Sequence, residues 1–171
     1  MSRLSRGFRG FVYRIHAADK NALDTEASKI SGGRWNKANR FGALYASLTK
    51  ETAQAEYTSQ LLKRGLTPED LTHRLVTTIQ VQLEKVLDLT DPDWQKEFGI
   101  TKPELESDEQ TCRKKILEVC EKARAQNFEA ILSPSARYPR GKNLNIFADR
   151  LSPKSSLRVI KSESLETRAR R

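Results

Sequence analysis

At 171 residues, 37% hydrophobic and 31% charged, the chain has the length of one domain, and burial of about 70% of its unfolded surface makes disulfides or a stabilising metal unnecessary. No apolar run reaches the ~18 residues of a membrane span, and the basic start MSRLSRGFRGF lacks the apolar stretch of a secretory signal, so a cytoplasmic protein without membrane contact is expected. The net charge of +9 admits a nucleic-acid partner, but much of the excess lies at the ends, in Arg3, Arg6, Arg9, Arg168, Arg170 and Arg171.

Residues 1–9 read as a flexible basic arm. In GFVYRIH (10–16), Phe11, Tyr13 and Ile15 alternate with Val12, Arg14 and His16. That alternation predicts a strand, with Arg14 in mid-strand where its charge needs a partner or a ligand. Residues 17–30 are helical or irregular. Ser31-Gly32-Gly33 is a turn leading into Arg34-Trp35-Asn36, Lys37 to Gly42 is a polar loop, and Ala43 to Ser47 is a short buried strand. Thr49 caps a helix that runs to about Arg64 and stops at Gly65. Its inward face carries Ala53, Tyr57 and Leu61, and Glu56 leans toward that face.

Thr67 to Asp70 starts a short helix. Arg74 to Leu83 alternates as a strand, and Lys85 to Leu89 continues the sheet or pairs beside it. Asp91-Pro92-Asp93 begins a small helix carrying Trp94, and 99–106 is a loop. Ser107-Asp108-Glu109-Gln110 is a capping box for a helix whose face shows Cys112, Ile116, Val119, Cys120 and Ala123 and which ends near Asn127. The two cysteines, roughly 12 Å apart along that helix, are buried thiols rather than a disulfide, and with His16 and His73 they form no zinc pattern. Ala130 to Leu132, Asn143 to Phe147 and Leu157 to Ile160 are further strands. The domain therefore spans 10–162, and 163–171 is a disordered tail. Strands and helices mix without βαβ regularity, which predicts an α+β fold with a compact mixed or antiparallel sheet and flanking helices.

Arg14, Arg34, Tyr45, Glu56 and Ser135 fall at strand ends, turns or inward faces. Two guanidiniums suit a diphosphate. Gly32 and Gly33 let backbone N–H groups approach an anion, although a plain turn is the commoner explanation of such a pair. Tyr45 offers a stacking face for a flat base. A lone carboxylate can stabilise a cationic sugar centre. This set suits cleavage of an N-glycosidic bond in a dinucleotide. NAD+ fits best, because its cationic nicotinamide leaves neutral and needs no second carboxylate as acid.

The sequence resembles the RES domain family, named for its arginine, glutamate and serine. The matching pieces are Tyr13-Arg14, Gly32-Gly33-Arg34-Trp35-Asn36, Leu44-Tyr45-Ala46-Ser47, Ala53-Gln54-Ala55-Glu56, Leu132-Ser133-Pro134-Ser135-Ala136-Arg137 and Asn143-Leu144, in order over about 10–150. In place of the family's proline–glycine turn after Asn36, this chain has the Lys37 to Gly42 loop. The resemblance implies a fold similar to ADP-ribosyltransferases of the diphtheria-toxin type. It also implies a toxin that depletes NAD+ by hydrolysis or phosphorolysis, with no cofactor beyond NAD+ as substrate.

It further implies Glu56 as the catalytic carboxylate, Arg14 and Arg34 on the phosphate and ribose side, Tyr45 at the nicotinamide or ribose, and Ser135 near the nicotinamide. Gly33, Trp35, Asn36 and Asn143 complete the expected NAD+ contacts. The implied partner is an Xre-like helix-turn-helix antitoxin, and a homodimer is left open. Two alternatives remain: ADP-ribosyl transfer to a protein target, and a non-catalytic basic nucleic-acid-binding module. The second lacks a helix-turn-helix, zinc finger or aromatic RNA-binding run.

Overall fold

The computed structural model describes residues 4–67 and 73–165. In chain order they form β1 (Arg6–Ala17), α1 (Glu26–Ser31), β2 (Leu44–Ser47), α2 (Lys50–Lys63), β3 (Arg74–Asp88), α3 (Pro92–Phe98), α4 (Lys102–Glu106), α5 (Gln110–Ala125), β4 (Ala130–Pro134), β5 (Lys142–Ile146), a 3-10 turn (Ala148–Arg150) and β6 (Ser156–Ser164). This is the mixed α+β architecture that the sequence pattern predicts.

The sheet has six strands in the order β1-β2-β5-β4-β3-β6, and β1 also pairs with β3. The first five strands therefore return on themselves as a ring, closed between β1 and β2 by the single pair Tyr13↔Ser47. Only β3 and β4 run parallel. On the edge of β3 that faces away from β1, β6 takes Leu75 to Gln82 and β4 takes Val86 to Asp88.

Period-two alternation divides the strand side chains between two cores. One face turns Val12, Leu44, Ala46, Ile79, Val81, Leu83, Ala130, Leu132, Leu144 and Ile146 into the ring. Outside it, α3, α4 and α5 cover a second, aromatic-rich core of Trp35, Phe41, Trp94, Phe98, Leu105, Ile116, Phe128 and Phe147. Trp94, Phe98 and Phe128 meet edge-on or tilted, with centroids 5.8–6.1 Å apart.

Several local expectations are corrected. The first strand begins at Arg6, because β3 is long enough to pair with Arg6, Phe8 and Arg9 through Val86, Leu83 and Gln82. The sheet runs to Ser164, two residues beyond the expected domain end, while 166–171 and most of the helix expected at Thr67 to Asp70 fall outside the described residues. The supposed loop 99–106 holds α4, started by a true capping box in which Thr101 and Glu104 satisfy each other's backbone N–H groups. The box expected at Ser107 to Gln110 is absent: Glu109 is the N-cap of α5 without a side-chain cap, and the Ser107 hydroxyl accepts from the Glu109 N–H instead.

The Lys37 to Gly42 loop is not wholly polar, since Phe41 is buried edge-on against Phe147. Cys120 is buried and Cys112 only half-buried, both as free thiols. Among the described residues, no helix is long and apolar enough to cross a membrane. The same residues contain no His, Cys, Asp and Glu cluster suited to a metal ion.

Candidate active site

The face of β2, β4 and β5 opposite the ring core is polar. Tyr45 and Ser47 on β2, Ser133 on β4, and Asn143 and Asn145 on β5 alternate with the buried aliphatics and line a cleft of about 450 Å³. The inner side of α2 forms one wall, with Ala53, Glu56, Tyr57, Gln60 and Lys63. The turn after α1 forms another, with Gly32, Gly33 and Arg34. Arg14 enters from β1, Arg113 from α5, and Arg137 from the β4–β5 loop.

At the centre stands Glu56. Its Oε1 accepts from the Ser135 hydroxyl at 2.6 Å and from Asn143 Nδ2 at 2.7 Å. Both donors are themselves fixed. Ser135 Oγ accepts from the backbone N–H groups of Arg137 and Tyr138, each at 3.1 Å, so its proton is left for the carboxylate. Asn143 Oδ1 accepts from Ser47 Oγ at 2.8 Å, so its amide points its N–H groups toward Glu56.

Local packing brings the serine loop to the helix. Thr52 and Glu56 share a face of α2 at i, i+4, and Gly141 lies against Thr52 so closely that a Cβ there would stand 2.6 Å from Thr52 Oγ1. Among the described residues no hydrogen bond reaches Glu56 Oε2, so that oxygen remains for a ligand.

Arg14 lines the same cleft and donates to the Ala22 carbonyl at 2.6 Å. Burial lowers its pKa from the ordinary 12.5, and Asp24 opposes that shift. Other expected contacts are bound into the scaffold, although Trp35 and Tyr45 also line the cleft. Tyr45 Oη accepts from the Trp35 N–H at 2.9 Å and donates to Asn36 Oδ1 at 2.6 Å. Burial pushes the Tyr45 phenol far above its usual range. Asn36 spends its amide on the Ser28 and Phe41 carbonyls, and Trp35, 2% exposed, belongs to the aromatic core.

The N–H groups of the paired glycines are not turned to an anion either. Gly32 donates to Ser28 and Gly33 to Asn36. Gly33 is required because a Cβ would stand 2.5 Å from the Tyr45 hydroxyl. Tyr45→Phe should therefore act on stability, orphaning the Trp35 N–H and Asn36 Oδ1 at a cost of about 1–3 kcal/mol in denaturant unfolding.

Arg34 differs again. It lines the cleft, yet Nη1 donates to the Leu105 and Ser107 carbonyls at 3.2 and 2.8 Å and Nη2 to Asp108 Oδ1 at 2.6 Å. Asp108 also binds Lys63 and Arg137. The sequence alone does not single out Lys63, Asp108 or Arg113, and it marks Arg137 only as the end of the Leu132 to Arg137 stretch. Asp108 sat inside what looked like a capping box, and nothing local joins residues 34, 63, 108 and 137.

The fold and cleft thus define a closed-ring α+β protein whose cleft sets one carboxylate, Glu56, among several cations. The chain belongs to the RES domain family, whose sequence pattern matches residues 11–166. It is 33% identical over 119 residues to a Mycobacterium tuberculosis protein, Rv3189, described as a probable NAD(+) phosphorylase. That match takes in 70% of this chain and 55% of the relative's length, so the chain spans about half of it. The fold is similar to a chain of the crystal structure of the M. tuberculosis MbcT–MbcA toxin–antitoxin complex, with a TM-score of 0.79 and 23% identity, covering 94% of this chain and 86% of that one.

Proposed function

We propose that this protein cleaves the bond between nicotinamide and ribose in NAD+ and passes the ADP-ribose to phosphate or water, depleting cytoplasmic NAD+ as a toxin restrained by an antitoxin. The observation that carries this reading is Glu56, anchored through Oε1 by Ser135 and Asn143 with Oε2 free at the cleft. The relative described as an NAD(+) phosphorylase supports it, and the likeness to a toxin–antitoxin complex supports the antitoxin, for which a helix-turn-helix protein of Xre type is the candidate.

In this reading the diphosphate lies along the cleft cations and the nicotinamide ribose lies at Glu56. The C1′–N bond breaks with its electron pair going to the ring nitrogen, so the pyridinium leaves as neutral nicotinamide and needs no acid. C1′ becomes an oxocarbenium centre, and the fixed negative charge of Glu56 stabilises it. Attack by a phosphate oxygen gives ADP-ribose 1″-phosphate, and attack by water gives ADP-ribose and a proton. The Ser135 and Asn143 donors keep the Glu56 carboxylate aimed. The strand ring is proposed to be of the diphtheria-toxin ADP-ribosyltransferase type, in which a protein nucleophile is the competing acceptor.

Purified protein mixed with NAD+ should release nicotinamide, followed by chromatography. No release with water, phosphate or a protein acceptor would sink the reading. Ser135→Ala should cut kcat by roughly 10- to 100-fold, because a misaimed charge loses much of its effect, with little change in KM.

A further inference from the structure

Asp108 has no role in the reading above, yet it gathers more charge than any other carboxylate among the described residues. It lies between α4 and α5, its carboxylate pairing with Arg34 at 2.6 Å, Lys63 at 3.1 Å and Arg137. These cations come from three separate places: the turn after α1, the last turn of α2, and the β4–β5 loop. All three line the cleft, whereas Asp108 does not. The carboxylate therefore holds the cations from behind. Hydrogen bonding to Arg137 is the main reason its carboxyl is held far below the usual carboxylate range, so it stays ionised at any working pH.

Each cation keeps donors to spare. Arg34 uses Nη1 and one bond from Nη2, Arg137 uses Nη2, and Lys63 spends one of three ammonium hydrogens. Without Asp108, the three charges, with Arg113 beside them, would repel one another and spread. With it, they stay close enough to meet one diphosphate. We propose that Asp108 is a positioning residue for the NAD+ site, holding Arg34, Lys63 and Arg137 as one anion-binding edge for the substrate's diphosphate.

This rests on the NAD+-cleaving reading, so the test includes binding as well as turnover. ADP serves as the diphosphate probe, by titration calorimetry. Asp108→Asn should weaken ADP binding and raise KM for NAD+ by about tenfold while kcat stays within about threefold, and Asp108→Glu should recover much of the loss. Asp108→Ser should weaken binding likewise, which provides a second variant if the asparagine form does not fold. ADP affinity and KM unchanged or tighter in a folded Asp108→Asn or Asp108→Ser protein would overturn the proposal. So would a wild-type protein that does not bind ADP. Wild-type protein that binds ADP but releases no nicotinamide contradicts the reaction and leaves the binding comparison to decide Asp108.

Discussion

Glu56→Gln should abolish most NAD+ cleavage, lowering kcat by roughly a thousandfold while ADP binding stays unchanged. The substitution removes the charge and little else. A glutamine oxygen in place of Oε1 can still accept from Ser135 and Asn143, which stand 2.6 and 2.7 Å away, so the side chain keeps its place. What disappears is the negative potential at Oε2, which in the proposed reaction favours a cationic ribose over the ground state. A variant that keeps its thermal midpoint and ADP affinity but loses turnover assigns the loss to that charge. A variant that retains near wild-type turnover removes Glu56 from the reaction.

The largest effect on stability is expected far from the cleft, at Glu129. This carboxylate is 2% exposed and accepts four hydrogen bonds. Oε2 takes the N–H groups of Glu84 and Lys85 at 2.7 and 3.0 Å, and Oε1 takes Ser152 N–H at 2.5 Å and Ser155 Oγ at 2.7 Å. It joins the C-terminal part of β3 to the segment before β6. Burial pushes its pKa up, but the donors of Ser152, Ser155, Lys85 and Glu84 together outweigh that and hold it below its ordinary 4.5.

Glu129→Ala leaves the Lys85 and Ser152 N–H groups without this acceptor and the Glu84 N–H with only the longer bond to Ser155 Oγ at 3.3 Å, and should cost about 4 kcal/mol, a large share of the roughly 5–15 kcal/mol available to a domain. Because the folded pKa is depressed, the ionic part of this stabilisation is complete above 4.5 and fades as pH falls through the lower folded value. Denaturant midpoints of the wild type should therefore drop below about pH 4.5 more steeply than those of Glu129→Gln, which has no charge to lose. Parallel curves for the two proteins contradict the assignment.

The sequence alone makes short-range features readable. Alternation marks the strands, Thr49 marks the start of α2, where its side chain accepts from the Thr52 N–H, and helical spacing leans Glu56 inward. The closing of the sheet into a ring is not readable, because one residue pair between β1 and β2 carries it. At the cleft, residue types are legible and their duties are not. Arg34-Trp35-Asn36 and Tyr45 look like ligand contacts because they are polar or aromatic near a glycine turn.

In the fold Trp35, Asn36 and Tyr45 hydrogen-bond one another while Arg34 turns to Leu105, Ser107 and Asp108, and Gly33 is small to admit the tyrosine hydroxyl rather than an anion. Asp108 and Glu129 escape notice for the opposite reason. Each sits in a locally ordinary stretch and acquires its partners only through long-range packing, from residues 34, 63 and 137 in one case and 84, 85, 152 and 155 in the other.

The central claim is that this cleft breaks the nicotinamide–ribose bond, and product analysis of NAD+ incubated with the purified protein tests it most directly. With phosphate present, phosphorus NMR and chromatography should show free nicotinamide together with ADP-ribose 1″-phosphate. Without phosphate, nicotinamide should appear with ADP-ribose, and Glu56→Gln should give neither. Intact NAD+ after incubation with folded wild-type protein, under both conditions and with a protein acceptor added, would contradict the account.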